Sequence, residues 1–204
     1  MFADDVALLT SSSPGMAALH AAFKQYCAGH HLTISGEKTK LLLTQGGSQQ
    51  VPAELEGEGY ECVGEFKYLG VQVDSRGHPA TVAAALLKAA RGSLGALCTH
   101  VGTQGWRTVW TRLVLYDVMV RTHLTFAAPV WAPTYLRLGE VAPRGTPLGA
   151  LAGLHRQGLR VLAGIGQQVR VEVMFVALVR WPLELLRAKA VWRYYRRVKK
   201  LQGR

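Results

Sequence analysis

The first hydrophobic pattern along the chain is helical. Apolar residues recur at steps of three and four after Ser13 and Pro14, and this spacing predicts an amphipathic helix over about 14–29. Ser13 is the expected N-cap, and Pro14 is the expected first helical residue, where a missing N–H is tolerated. The predicted buried stripe of this helix consists of Met16, Leu19, Phe23 and Tyr26.

Short β-type runs follow. Residues 40–44 predict a short strand, and the polar, glycine-rich segment 45–59 predicts a loop. The runs YECVG and FKYLGVQVD have almost nothing between them. They are therefore predicted to form a hairpin that ends at the turn 74–77, which reads Asp-Ser-Arg-Gly.

Beyond that turn the hydrophobic period is helical to the end of the printed sequence. One stripe runs from Val82 to Val101, and a second runs from Val109 to Leu124. A Pro- and Gly-rich connection over 132–147 precedes a third helix at about 148–163. The last helix is predicted to begin near Pro182, with an apolar stripe of Leu183, Leu186, Ala190, Tyr194, Val198 and Leu201.

The balance of basic and acidic residues changes close to the position where the hydrophobic period becomes helical. Residues 1–80 carry 5 basic and 9 acidic side chains, whereas residues 81–204 carry 19 basic and 4 acidic ones. The sequence therefore predicts an α+β chain with a boundary near residue 78: an α/β part over 1–78 and a basic all-α bundle over 79–204. A basic half of this kind indicates a polyanionic partner, nucleic acid before an anionic membrane surface.

The remaining composition narrows the class of protein. No uninterrupted apolar run reaches the roughly 18 residues of a membrane span, and the best candidate, 113–131, contains Asp117, Arg121 and His123. No membrane partner is therefore expected. The spacing of the three cysteines fits neither a zinc site nor a disulfide framework, which predicts a reduced intracellular protein, nuclear or cytoplasmic. Those cysteines are Cys27, Cys62 and Cys98.

Four cations of the last predicted helix form a candidate nucleic-acid-binding face. Their steps of four, three and four residues place them on one side of the helix, with Trp192, Tyr194 and Tyr195 interleaved. Cations of this kind track phosphates, and aromatic rings stack on bases. A solvated bundle face and a membrane-surface helix are the alternatives. The four cations are Lys189, Arg193, Arg196 and Lys200.

Two adjacent carboxylates, Asp4 and Asp5, interrupt the apolar run at the start, MFADDVALLT. Burying a carboxylate costs several kcal/mol unless it lies at a turn, is paired, or binds a cation. One interpretation is an exposed turn before a strand at Val6–Thr10. The other is a turn that holds hard divalent cations through oxygen ligands.

Four blocks, in order, resemble the end of the palm and the thumb of a reverse transcriptase of the non-LTR (LINE-type) retrotransposon family. FADD at 2–5 resembles the family's catalytic aspartate turn, and HLTISGEKTKLLL at 31–43 is similar to the motif that follows it. FKYLGVQVD at 66–74 resembles the primer-side hairpin. The fourth block consists of three segments that resemble the helical region after the palm. They are LTFAAPVW at 124–131, LRVLAGI at 159–165 and WPLELLRAK at 181–189. Departures occur in the second block, where Ser35 and His31 stand in place of the usual Asn and Gly.

The resemblance implies an RNA-directed DNA polymerase acting on an RNA template and a DNA primer by two-metal nucleotidyl transfer. Asp4 and Asp5 would be catalytic residues and ligands of Mg²⁺ or Mn²⁺, and Lys38 would approach the phosphates of the incoming nucleotide. An exposed loop lysine is the alternative for Lys38. The primer-side hairpin would consist of Phe66, Tyr68, Leu69 and Gly70, for which hairpin core is the alternative.

The family's other metal-binding aspartate and its nucleotide-gripping segment lie upstream of the FADD block. The resemblance therefore implies a truncated fragment of a partial palm and a thumb-like bundle. Such a fragment would be inactive alone and would bind metal only if upstream sequence completes the site. A non-catalytic, basic nucleic-acid-binding remnant is the alternative function. A genomic relic that barely folds is a third possibility, because unpaired strand edges favour aggregation.

Overall fold

The computed structural model describes residues 5–44, 53–105, 108–133 and 145–202. It divides the chain into two compact units, Met1–His78 (unit 1) and Pro79–Arg204 (unit 2). Helices and two small sheets both occur, so the predicted α+β class is confirmed. Residues 45–52 of the predicted loop and residues 134–144 of the predicted connection lie outside the described residues.

Unit 1 begins with helix α1, Ser13–Gly29, at the predicted place. The N-cap is Ser12 and not Ser13, since the Ser12 hydroxyl accepts a hydrogen bond from the backbone N–H of Gly15 at 3.3 Å. Pro14 is therefore the second helical residue and not, as predicted, the first, although it still stands in the first turn. A capping oxygen must precede the first free N–H groups by two or three residues, and Ser12 meets that condition.

The buried face of α1 is offset from the predicted stripe. His20 and Cys27 are buried, whereas Leu19 and Tyr26 are 38% and 48% exposed. His20 is held inside by a 2.8 Å hydrogen bond between its Nε2 and the hydroxyl of Tyr60. A hydrophobicity pattern ranks histidine as polar, so it places this face incorrectly.

Two pairs of short strands complete unit 1. Strand β1 (Lys40–Leu41) pairs in parallel with β2 (Glu61–Cys62), and β3 (Glu65–Tyr68) pairs antiparallel with β4 (Val71–Asp74). A 3-10 helix at Ala53–Glu58 precedes β2. The predicted pairing of YECVG with FKYLGVQVD is therefore wrong, because the hairpin lies within the second run.

The β3–β4 hairpin closes through a two-residue turn, Leu69-Gly70. Both residues have positive φ, +47° and +80°, which identifies a type I′ turn. This turn matches the twist of the strands but suits Asn-Gly better than Leu-Gly, because a bulky residue is strained in the left-handed region. The predicted turn after the hairpin is confirmed, since the Asp74 carboxylate accepts the N–H of Arg76 at 2.5 Å.

Replacing Leu69 with asparagine is expected to stabilise unit 1 by about 1 kcal/mol, because it relieves the left-handed strain. Chemical denaturation of the two proteins at neutral pH measures the difference. Gly70→Ala is the opposing control and is expected to destabilise, since it puts a Cβ at φ +80°. A Leu69→Asn protein less stable than the parent would contradict the turn assignment.

Unit 2 is helical. Helix α2 (Pro79–Gln104) is followed by α3 (Val109–Tyr116), which continues through a π-helical turn (Asp117–Arg121) into α4 (Thr122–Thr125). Four more helices follow: α5 (Ala128–Trp131), α6 (Pro147–Ala163), α7 (Val171–Ala177) and α8 (Leu183–Gln202). The four predicted helical segments are confirmed, whereas the π-helical turn, α5 and α7 are not among the predictions.

The core of unit 2 lies where α2, α3, α4 and α6 pack together. Tyr116 and His155 are fully buried there, and the Tyr116 hydroxyl lies 2.7 Å from His155 Nδ1. The other ring nitrogen of His155, Nε2, lies 3.1 Å from the carbonyl oxygen of Trp181. Gly158 admits the Tyr116 ring, since a Cβ at that position would lie 2.8 Å from Tyr116 Cε2.

One helix in the described part of the chain is apolar and long enough to cross a membrane by length and composition alone. It is α2, whose most apolar 18-residue window has a mean hydropathy of 1.2. A scan for uninterrupted apolar runs misses it because Lys88 and Arg91 divide it. Seven of its residues are nevertheless buried within unit 2, as in a core helix.

Candidate nucleic-acid interface

Two of the three predicted catalytic residues, Asp5 and Lys38, are described by the structure, and both lie on the surface of unit 1. Asp5 is exposed and forms an isolated β-bridge, while Asp4 lies outside the described residues. The strand expected at Val6–Thr10 is absent from this described segment, and Leu9 is 86% exposed.

Lys38 lies in the turn at 36–38 and is exposed. No hydrogen bond or ion pair joins it to Asp5 in the part of the chain that the structure describes. Lys40, two residues further along the same block, forms an ion pair instead. Its Nζ lies 2.6 Å from a carboxylate oxygen of Glu61 across the β1–β2 pair.

The hairpin residues are the one predicted group of unit 1 that the structure brings together. Phe66 and Tyr68 are half-buried on one face of β3, opposite Val73 and Val71. Leu69 lies at the tip and is 42% exposed. The apolar face thus belongs to the hairpin's own packing, and the tip presents one strained apolar side chain.

The described residues contain no group of three or more His, Cys, Asp or Glu side chains that could hold a metal ion. Carboxylate oxygens are suitable ligands for Mg²⁺ or Mn²⁺. The Asp4–Asp5 turn could therefore contribute oxygen ligands. A complete two-metal site would need further carboxylates beside it.

The predicted binding face on α8 is exposed and lies on one ordered helix. Lys189, Arg193, Arg196 and Lys200 are all exposed. From Trp192 to Gln202, every residue except the half-buried Val198 is exposed. The predicted apolar stripe is therefore buried only over the first part of the helix, since Tyr194 and Leu201 are 54% and 65% exposed.

The first part of α8 is anchored by a buried arginine that the hydrophobic pattern does not indicate. Arg187 is 2% exposed, and its Nε and Nη2 both lie 3.3 Å from the carbonyl oxygen of Leu124. Its guanidinium carbon lies 4.8 Å from the centre of the Trp131 ring. Burial lowers the pKa of Arg187 to about 10, and nearby Glu184 opposes this.

Several arginines of unit 2 are engaged by the protein itself. The Asp117 carboxylate lies 3.1 Å from Arg121 and 3.0 Å from Arg180. Arg180 also lies over the Trp110 ring, at 5.8 Å from its centre. The predicted binding face of α8, called the basic face below, differs from this cluster in its acidic neighbours. No acidic residue follows Glu184 in the sequence.

A second basic surface, on α6, is absent from the predictions. Arg156 and Arg160 line a cleft of about 530 Å³ together with the glycine-rich loop after the helix. Arg160 donates to the carbonyl oxygens of Gly166 and Val169 and so holds that loop against α6. Their four-residue spacing in HRQGLR is the sequence signal that could have placed them on one helix face.

No protein-family model matches the chain, and comparisons with curated proteins and with solved structures give no match. The resemblance to the retrotransposon family therefore depends on the four sequence blocks described above.

Proposed function

We propose that this chain is the C-terminal palm and thumb portion of an RNA-directed DNA polymerase of a non-LTR retrotransposon, and that its own activity is binding of nucleic acid through unit 2. The observation that carries the proposal is the exposed end of α8. Trp192–Gln202 contains five cations, three aromatic residues and no acidic residue. A surface of that composition favours a polyanion with stackable bases.

The family part of the proposal is supported by where the sequence blocks lie. FKYLGVQVD supplies nearly all of the β3–β4 hairpin and its tip. The three segments of the fourth block, 124–131, 159–165 and 181–189, lie in helices or at helix ends of unit 2. The order is that of a palm segment followed by a helical thumb.

Polymerase chemistry requires more than the Asp4–Asp5 turn. Two-metal nucleotidyl transfer uses cations ~3.5–4 Å apart, which carboxylates from separate strands hold. In this proposal Asp4 and Asp5 hold Mg²⁺ or Mn²⁺ when another segment supplies the remaining ligands, and Lys38 neutralises phosphate charge. The chain alone is therefore expected to bind template and primer without extending them.

The binding part is tested by removing three cations from the basic face. Arg193→Gln, Arg196→Gln and Lys200→Gln together are expected to weaken binding to a labelled RNA–DNA hybrid. They should also lower the slope of log affinity against log salt by about 2 to 3, at roughly 0.7 to 0.9 per phosphate contact. Fluorescence anisotropy at several salt concentrations measures both quantities.

The matched control removes the same charge elsewhere in unit 2, through Lys88→Gln, Arg91→Gln and Arg170→Gln. These three side chains are exposed and lie outside α8. The control is expected to keep most of the salt dependence. Equal losses in both triple variants would show that only net charge matters, and the interface on α8 would be rejected.

The polymerase part is tested on the native transcript, by reading the codons that precede Met1 in frame. If they encode a strand with an aspartate, the longer protein is expected to extend a primer with Mg²⁺. Asp4→Asn or Asp5→Asn should then abolish extension, while Glu37→Gln, an exposed carboxylate in the neighbouring block, should not. A stop codon directly upstream would reject the polymerase part.

A binding module without chemistry is the second candidate function, favoured by the absence of a metal-holding group from residues 5–44 and the other described segments. The two functions differ in their dependence on Asp4 and Asp5. A binding module would retain full function in both aspartate variants.

A further inference from the structure

The exposed end of α8 carries a pair of aromatic rings that lie close together. The ring centres of Trp192 and Tyr195 are 6.1 Å apart, and their planes differ by 25°. Trp192 is 61% exposed and Tyr195 is 56% exposed. Both rings therefore present accessible faces to the solvent, where they contribute little to the core of unit 2.

The pair borders the basic face. Because a helix turns by about 100° per residue, Lys189, Arg193, Arg196 and Lys200 fall within an arc of roughly 60°. Trp192 follows at the edge of that arc, and Tyr195 lies beyond it on the same side. Tyr194 points to the other side of the helix and provides an internal comparison.

We propose that Trp192 and Tyr195 stack on the bases of single-stranded nucleic acid whose phosphates lie along the basic face, so that unit 2 binds single strands in preference to duplex. This inference rests on the proposed function and specifies its ligand. Base faces are accessible in a single strand, whereas in a duplex they are already stacked on neighbouring pairs. Phosphate contacts alone would serve both ligands.

An anionic membrane surface is the competing partner, and the distribution of residues disfavours it. An interfacial helix needs a wide apolar face opposite its cations. Here Trp192 lies between Arg196 and Lys199 around the helix, whereas the apolar residues opposite the basic face span an arc of only roughly 60°. Those residues are Tyr194, Leu201 and the half-buried Val198. Aromatic rings beside cations suit single-stranded nucleic acid, because its phosphates are charged and its bases have flat faces that stack.

The test compares two ligands and three variants of the full chain. The ligands are a labelled oligouridylate of about 12 nucleotides and a mixed-sequence RNA duplex of about the same length. The double variant Trp192→Ala/Tyr195→Ala is expected to bind the single strand at least about 30-fold more weakly, because it removes two stacking contacts at about 1 kcal/mol or more each. Its duplex affinity should change by less than about twofold, which also shows that unit 2 remains folded.

Two matched variants separate stacking from other effects. Trp192→Phe/Tyr195→Phe keeps both rings and is expected to retain most of the single-strand affinity. Tyr194→Ala removes a ring of similar exposure from the other side of the helix and is expected to weaken single-strand binding much less than the double variant does. Equal losses for single strand and duplex, or a loss in Tyr194→Ala as large as in the double variant, would overturn the inference.

The remaining outcomes distinguish this inference from the function on which it rests. If the triple charge variant binds weakly but the double aromatic variant binds like the parent, stacking is rejected and the nucleic-acid interface stands. If neither variant changes affinity, both are rejected. If the protein binds phosphatidylserine vesicles more tightly than oligouridylate, and the double aromatic variant loses that binding, the ligand is a membrane and the inference fails.

Discussion

Lowering the pH from 6.5 to 4 is expected to reduce the free energy of unfolding of unit 2 by about 3 kcal/mol through His155 alone, at 1.36 kcal/mol per pKa unit. Burial lowers the pKa of this histidine from 6.5 to about 4. The hydrogen bond to the Trp181 carbonyl and the charge of Glu184 oppose that shift, while Arg121 and Arg187 add to it.

The hydrogen bonds of His155 explain why its neutral form is the folded one. Nε2 faces the carbonyl oxygen of Trp181, so Nε2 carries the proton. Nδ1 can then accept from the hydroxyl of Tyr116. A second proton on Nδ1 would reverse that bond, with the Tyr116 oxygen as the acceptor, and would leave a charge inside the core.

The sign of the pH effect follows from the two pKa values. Between pH 6.5 and about 4, the unfolded chain holds a proton on this histidine and the folded chain does not. Stability is therefore complete above pH 6.5, falls through that window, and loses nothing more from this residue below pH 4. Urea denaturation at closely spaced pH values measures the curve.

The control for this prediction is His155→Gln, which retains a donor and an acceptor but does not titrate. It is expected to be less stable than the parent at pH 7, because glutamine fills the site less well. Its stability should depend less on pH between 6.5 and 4. A parent and a variant with the same pH slope would show that His155 titrates normally in the folded protein.

Arg187→Ala is expected to lower the free energy of unfolding of unit 2 by about 2–3 kcal/mol, a loss typical of removing a buried, charged hydrogen-bond donor and leaving its acceptor unsatisfied. Leu124 lies in the last turn of α4, where carbonyl groups have no partner within the helix. The guanidinium satisfies that carbonyl and stacks on Trp131 of α5. Without it, a buried carbonyl and a cavity remain where α8 joins the bundle.

Two substitutions make the Arg187 prediction specific. Arg187→Lys retains a charge but not the planar group, and it should recover only part of the stability. Lys189→Ala removes an exposed cation two residues further along and should change stability by less than about 0.5 kcal/mol. Similar effects of Arg187→Ala and Lys189→Ala would contradict the anchoring role.

The sequence predicted the long helices well and the short elements poorly. The stripe of α2 repeats over many turns, so its apolar face is unambiguous. The stripe residues buried as predicted are Val82, Leu86, Ala90, Leu94 and Leu97. The hairpin was misplaced because Leu69-Gly70 does not resemble the usual Asn-Gly turn. The seven residues of α7, Val171–Ala177, provide too few periods to distinguish a helix from a strand.

The sequence predicted those residues of the candidate site whose chemical type and helical spacing indicate the same exposed face. The four cations of α8 recur at helical steps and lie exposed, as their pattern indicates. Arg187 belongs to the same helix but points inward, and a pattern that treats every arginine as polar cannot identify it. His20 and His155 were missed for the same reason, because their burial depends on partners 40 and 39 residues away.

The exposed end of α8 has a consequence for the energetics of binding. A helical segment as short as Trp192–Gln202 is marginal in water without packing against other elements. Its cations also lie three and four residues apart, which weakens the helix by a few tenths of a kcal/mol for each like-charged pair. Under the proposed function, a bound polyanion neutralises that repulsion, so binding is expected to stabilise the helical form of this segment.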